Sequence, residues 1–331
     1  MRSASAVACV FAMTLVLWGC GSTPVHRPAA KLEPKPYLLH LPGITGAFSV
    51  HDKYLAALNA GGFDAQTGIY DWTNGRVPVF VLGSRQRNRE EALKVAALIT
   101  AKYRADPQRP IYLTCESGGA GIAVWALEAL PDDVQVEAAV FIAAAVSPGY
   151  DLSPALRHVR SRMYAISSKR DALVLGLGTS LFGTMDRRHG NSAGLVGFKP
   201  PAAPAFPEQY AKVEQVPYES KWWSEYGNDG THWSAMTPRF ASGWLAPRLI
   251  EIAQQSAESR EPIEQASHLP PSPRARGEGQ GVGDIEPPVD TTTGACLRAG
   301  RFFDVVHRPP LSPALSPGYR EEGVTRHEPP R

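Results

Sequence analysis

The sequence predicts an α/β fold, a mainly parallel sheet with helices on both faces, and three observations predict it. Between residues 37 and 256, short apolar runs alternate with stretches of helical spacing, the rhythm of strand–helix–strand units. Residues 136–145 are almost continuously apolar, as a strand buried on both faces would be. Residues 110–114 form an apolar run that ends in the small-residue turn Cys115-Glu116-Ser117-Gly118-Gly119, after which residues 120–130 take up amphipathic helical spacing.

The first strand is expected at residues 37–41, ended by Pro42-Gly43. A short helix is expected over 53–58 and a second strand over 63–72. Across 88–103 the apolar residues Ala92, Val95, Ala96, Leu98, Ile99 and Tyr103 recur at helical spacing, and Asp106-Pro107 stops that helix. Beyond the 136–145 strand, residues 163–167 read as another strand and 213–217 as a weaker one. A last helix carries Trp244, Leu245, Leu249 and Ile252 across 240–252. Residues 176–207, with six glycines and four prolines, break this rhythm. A structureless stretch of that length is commonly functional, and it is read as an excursion over the sheet edge that walls a substrate pocket.

The chain has 331 residues, 43% hydrophobic content and a formal net charge of +2. That supports one sizeable core and excludes nucleic acid as the main partner, because no basic excess is available for a phosphate backbone. Arg2 and the apolar stretch 6–18 precede Gly19-Cys20-Gly21-Ser22. A basic start, a short apolar core and small residues at its end make an export signal over 1–20. Leu17-Trp18-Gly19-Cys20 resembles a bacterial lipobox. The resemblance implies acylation of Cys20, a membrane lipid anchor, and a periplasmic or cell-surface location. The alternative is an ordinary secretory signal in which Cys20 is incidental. Residues 21–36, with four prolines, form a tether. From about 257 to 331 the composition turns Pro/Gly/Ser-rich, as in 269–279 and 311–318. This segment is expected to be a disordered tail. Four cysteines offer neither a disulfide framework nor a zinc spacing.

A strand, a tight turn with a central serine and a helix make the layout of a nucleophile elbow. Ser117 is the candidate nucleophile, and the alternative is a helix N-cap. The first small position is Cys115, read as a buried spacer. A serine nucleophile needs a base and a group that orients the base, and with this elbow the chain order is Ser, Asp or Glu, then His. Asp171 follows the strand at 163–167; its rival is Asp151, after the preceding strand. His232 lies in a loop before the last helix; its rivals are His189, which precedes the last strand, and His40, beside the Pro42-Gly43 turn. Trp222, Trp223, Tyr218 and Tyr226 either line the pocket or pack beneath the His232 loop.

With these residues in that order, residues 37–256 resemble an α/β-hydrolase domain. The resemblance implies Ser117 as nucleophile, Asp171 as acid and His232 as base. The segment 40–46 resembles the family's oxyanion loop, with Pro42 in place of histidine, so the amides of Ile44 and Gly118 are expected to hold the oxyanion. Glu116, beside the nucleophile, is expected to raise the His232 pKa if it lies close. The implied protein is an exported serine hydrolase for a small or medium ester or acyl substrate, needing no cofactor and no metal. Acyl transfer with the same triad is a variant of that reading. The alternative is a non-catalytic envelope lipoprotein that uses the fold as a binding module.

Overall fold

The computed structural model describes residues 34–172, 183–260 and 319–321. The expected leader with Cys20, and most of the expected tether and tail, lie outside those residues.

Six strands run parallel: β1 (Tyr37–Leu41), β2 (Gln66–Tyr70), β3 (Ile111–Glu116), β4 (Val136–Ile142), β5 (Val159–Ser167) and β6 (Val213–Pro217). A short seventh, β7 (Tyr319–Glu321), pairs antiparallel with β2, and the sheet order is β6-β5-β4-β3-β1-β2-β7. The strands β1, β3 and β4 lie in the middle, and all their residues are buried, which is why they read as mostly apolar runs, broken only by His40, Thr114, Glu116 and Glu137.

Alternation along the strands sorts side chains onto two faces. Leu39, Leu41, Leu113, Cys115, Phe141 and Met163 share one core with α3 (Arg85–Ala105) and α4 (Gly119–Glu128). Leu38, Tyr112, Val140, Ile142, Tyr164 and Ile166 share the other with α1 (Ser49–Ala60) and the C-terminal helix. The parity fixes Glu116 as well. It is two residues beyond Thr114 and four beyond Tyr112, so it points to the α1 face, opposite to Cys115.

The helices are longer than their apolar stripes. α1 begins at Ser49, four residues before the expected start, because the Phe48 N–H donates to His51 Nδ1 at 3.1 Å and closes the first turn. α3 is capped by the Ser84 side chain, which accepts from the Arg87 N–H, and carries Lys102 and Arg104 in its last turn, where the helix dipole favours cations. A six-residue helix α2 (Pro78–Gly83), too short to show a period, was not expected. The helices α5 (Ser153–Leu156), α6 (Ala193–Val196) and α7 (Lys221–Tyr226) are single turns or little more. At the C-terminus, α8 (Pro238–Phe240), a π-helical turn (Ala241–Leu245) and α9 (Ala246–Arg260) run on continuously. No helix among the described residues is long and apolar enough to cross a membrane.

Two expectations change. The described part of the long excursion, from residue 183 on, is not confined to the sheet edge. The amides of Met185, Gly194 and Ala193 donate to the carbonyls of Ala145, Ala144 and Val146, which ties it over the carboxyl end of β4. The last helix, expected over 240–252, runs on to Arg260, and Ala253 and Ser256 extend its buried stripe. Within the segment expected to lack structure, Tyr319–Glu321 lies along the otherwise unpaired edge of β2, where backbone groups need partners.

Candidate active site

The carboxyl end of the parallel sheet is where such folds bind ligands, and the candidate residues sit there. Ser117 follows β3 directly with φ +52°, a left-handed conformation unfavourable for a residue with a side chain. Neighbouring strands hold it: its amide donates to Ile142 O at 2.9 Å and its carbonyl accepts from Ala145 N at 3.0 Å. The N-cap of α4 is Gly118, with no side-chain cap hydrogen bond, so Ser117 does not act as the helix cap. Ser117 is 7% exposed.

Close packing explains the small residues around the elbow. A Cβ on Gly119 would lie 2.4 Å from Leu41 O and 2.5 Å from Pro42 O, so β1 can pass the start of α4 only over a glycine. A Cβ on Gly118 would lie 2.5 Å from Ile44 Cγ2, which sets the expected oxyanion pair, Ile44 and Gly118, side by side. Cys115 is fully buried, its Sγ 3.6 Å from Val140 O, and burial pushes its thiol pKa up. It fills the spacer position without contributing a thiolate.

His232 belongs to the loop joining α7 to the C-terminal helix. The loop carries its own scaffold: Asn228 Oδ1 accepts from Gly230 N and Ser234 Oγ, and Asp229 Oδ1 accepts from Thr231 N and Oγ1. These bonds and the left-handed Gly227 and Gly230 turn the chain sharply and aim His232 inward. Asp171 lies in the 3₁₀ turn Lys169–Ala172 that follows β5. His232 Nδ1 donates to Asp171 Oδ2 at 2.6 Å, with both side chains buried.

The rival residues lie elsewhere or do other work. Asp151 accepts from Ser153 N, Ser153 Oγ, Ala205 N and Tyr210 Oη, and so ties a surface loop together. His189 is exposed. His40 is fully buried with Nδ1 2.8 Å from Thr114 Oγ1; burial, with the neighbouring His51, lowers its pKa to about 3. Of the aromatic group, Trp222 packs in the core against Tyr218, Phe240 and Trp244, and Tyr226 packs on Phe240, whereas Trp223 is exposed. The packing alternative therefore describes three of the four.

Glu116 occupies the second ring nitrogen. His232 Nε2 is 2.8 Å from Glu116 Oε1, while Glu116 Oε2 accepts from the Gly43 N–H at 2.8 Å and lies 3.7 Å from His51 Nε2. Burial opposes charge on Glu116, but the hydrogen bond from His232 and the nearby His51 ring outweigh it and hold the pKa down to about 2. For His232, burial works downward, and the bonds to Asp171 and Glu116 raise the pKa to about 9. The sequence points to Glu116 as a possible influence on His232. Its direct contact and its hold on Gly43 come only with the structure, although the strand parity of Tyr112, Thr114 and Glu116 carries the signal.

Beside this loop a cavity of about 310 Å³ is lined by Val50, Lys53, Asp229, Trp233, Met236 and Pro238, with Phe48 edge-on to Trp233 at 6.1 Å. A larger one, about 840 Å³, is lined by Arg162, Tyr164, Glu214 and Arg248, toward the amino ends of β5 and β6 and away from Ser117. Among the described residues, no group of three or more His, Cys, Asp or Glu side chains is arranged to hold a metal ion.

No family model and no curated protein sequence matches the chain. Solved structures of similar outline include a cutinase-like protein from Cryptococcus sp., with TM-score 0.39 and 12% identity over 69% of this chain and 98% of that one. Est1E from Butyrivibrio proteoclasticus gives TM-score 0.40 and 11% identity over 69% and 92%. Dienelactone hydrolase from Anabaena variabilis gives 0.37 and 18% over 64% and 85%. At TM-scores below 0.5 these likenesses carry no weight for what the chain does, and the site has to be understood from its own geometry.

Proposed function

We propose that the chain is a serine hydrolase of α/β-hydrolase type acting on a small or medium ester or acyl substrate. The observation that carries the reading is the 2.6 Å bond from His232 Nδ1 to Asp171 Oδ2, at the same sheet end as a serine strained to positive φ. In this reading Ser117 Oγ attacks the carbonyl carbon and its proton passes to His232 Nε2. Asp171 holds the imidazole in the right tautomer and stabilises its cation. The amides of Ile44 and Gly118 stabilise the oxyanion, each such donor contributing about 2.7–4 kcal/mol in related chemistry. His232 then protonates the leaving group, and water, activated by the same histidine, releases the acyl group. No cofactor or metal enters this scheme.

One observation favours the non-catalytic alternative: His232 Nε2 faces Glu116 instead of Ser117. Labelling with a fluorophosphonate probe separates the two. A hydrolase is labelled on Ser117 and loses the label in Ser117→Ala; a binding module stays unlabelled while folded.

Export and lipid anchoring at Cys20 belong to the same proposal. They are supported by the leader and the Leu17-Trp18-Gly19-Cys20 sequence alone. Metabolic labelling with an alkyne fatty acid should tag the wild type in the membrane fraction and leave Cys20→Ser untagged. Equal tagging of both would contradict it.

A further inference from the structure

His232 stands between two carboxylates from different strand ends. Its Nδ1 faces Asp171 at 2.6 Å and its Nε2 faces Glu116 at 2.8 Å. A carboxylate only accepts, so both bonds form together only when both ring nitrogens carry protons. In that state His232 has no lone pair to take the Ser117 proton. Glu116 is itself fixed from behind. Gly43 N donates to its Oε2, and the Phe48 N–H at His51 Nδ1 leaves the proton of a neutral His51 on Nε2, the nitrogen nearest that carboxylate. His40 on β1 lies behind His51, ring centroids 5.1 Å apart, and faces the same cluster. Trp233 sets its ring edge against His232 from the loop itself.

We propose that Glu116 is a positioning residue that latches His232 away from Ser117, so that the nucleophile gains its base only when the Glu116–His232 contact opens. The inference rests on the reading of Ser117, His232 and Asp171 as the catalytic groups. Opening needs no new reagent: loss of the Nε2 proton to solvent removes the donor, and the freed ring turns toward Ser117. The Gly43 bond gives the latch a second consequence. The oxyanion loop and the base are held by the two oxygens of one carboxylate, so an open latch and an ordered loop are coupled.

Glu116→Gln tests this, because a Gln oxygen still accepts from the Gly43 N–H while the negative charge facing His232 is removed. Two readouts are needed: the pH dependence of the fluorophosphonate labelling rate, and the ¹⁵N chemical shifts of the His232 ring followed by NMR. In the wild type, labelling should rise toward alkaline pH and His232 should stay doubly protonated above pH 7. In Glu116→Gln both midpoints should fall by one pH unit or more, which makes labelling at pH 7 about tenfold faster or better. Coincident midpoints in the two proteins, or a neutral His232 in the wild type at pH 7, would overturn the latch. If Glu116→Gln does not fold, the wild-type ring shifts alone decide. If neither protein is labelled at any pH, the Ser117 reading fails, while the ring shifts still decide the latch.

Discussion

His232 Nε2 lies 2.8 Å from Glu116 Oε1, so the nitrogen that a serine nucleophile needs is engaged by the carboxylate one residue before that serine. The relationship follows from strand parity. β3 sends Cys115 to the α3/α4 face and Glu116 to the α1 face, and the His232 loop packs on the latter.

The contact gives folding stability a defined pH window. Glu116 is held down to about 2 from an ordinary 4.5, so its contribution is full above 4.5 and is lost as pH falls through 2. His232 is raised to about 9 from an ordinary 6.5, so its contribution is full below 6.5 and is lost as pH rises through 9. Stability from this pair should therefore be greatest between about 4.5 and 6.5 and decline on either side. Urea unfolding across pH should show that plateau in the wild type and a flatter profile in Glu116→Gln.

The two aspartates separate by role. Asp171→Asn should lower turnover by about 10⁴-fold, because the ring loses the acceptor that fixes its tautomer. Asp151→Asn should leave turnover within about twofold but lower the melting temperature, because four accepted hydrogen bonds hold its loop. The histidines should divide the same way, with His232→Ala inactive and His189→Ala active. Ester turnover and thermal melts of the four variants check this.

The parallel sheet, the strand–turn–helix around Ser117 and the place of Asp171 just past β5 were legible because each leaves a local mark: an apolar run, a small-residue turn, or a polar residue after a strand; His232 lies well beyond β6, in a loop with no such mark. The first turn of α1 and the whole of α2 were not. His51 is a buried polar residue that breaks the apolar period, and six residues are too few to show one. The contacts around Glu116 were illegible for another reason: they join residues 43, 116 and 232, which meet only when the sheet is assembled.

Gly119→Ala tests the close approach at the elbow. The added methyl meets the backbone oxygens of Leu41, at the end of β1, and of Pro42 just beyond it, which cannot move aside as a side chain can. The cost should be about 1–3 kcal/mol, or roughly 2–4 °C of melting temperature per kcal/mol. An unchanged melt would show that β1 and α4 are further apart than described.

Removing residues 261–331 keeps α9 whole and deletes β7, which pairs with β2 at three positions on an exposed edge. Net values of about 0.5–1.5 kcal/mol per hydrogen bond make a melting shift of a few degrees the expected result, with ester turnover within about twofold. A collapse of either would assign the tail a larger part in the fold.

The central claim is that Ser117 is the nucleophile. Its most direct test is fluorophosphonate labelling of the folded protein across pH 6–10, with the adduct mapped by mass spectrometry. The account predicts a single adduct on Ser117 that is absent in Ser117→Ala and forms faster toward alkaline pH. A folded wild type without an adduct at any pH, or an adduct on another residue, would contradict it.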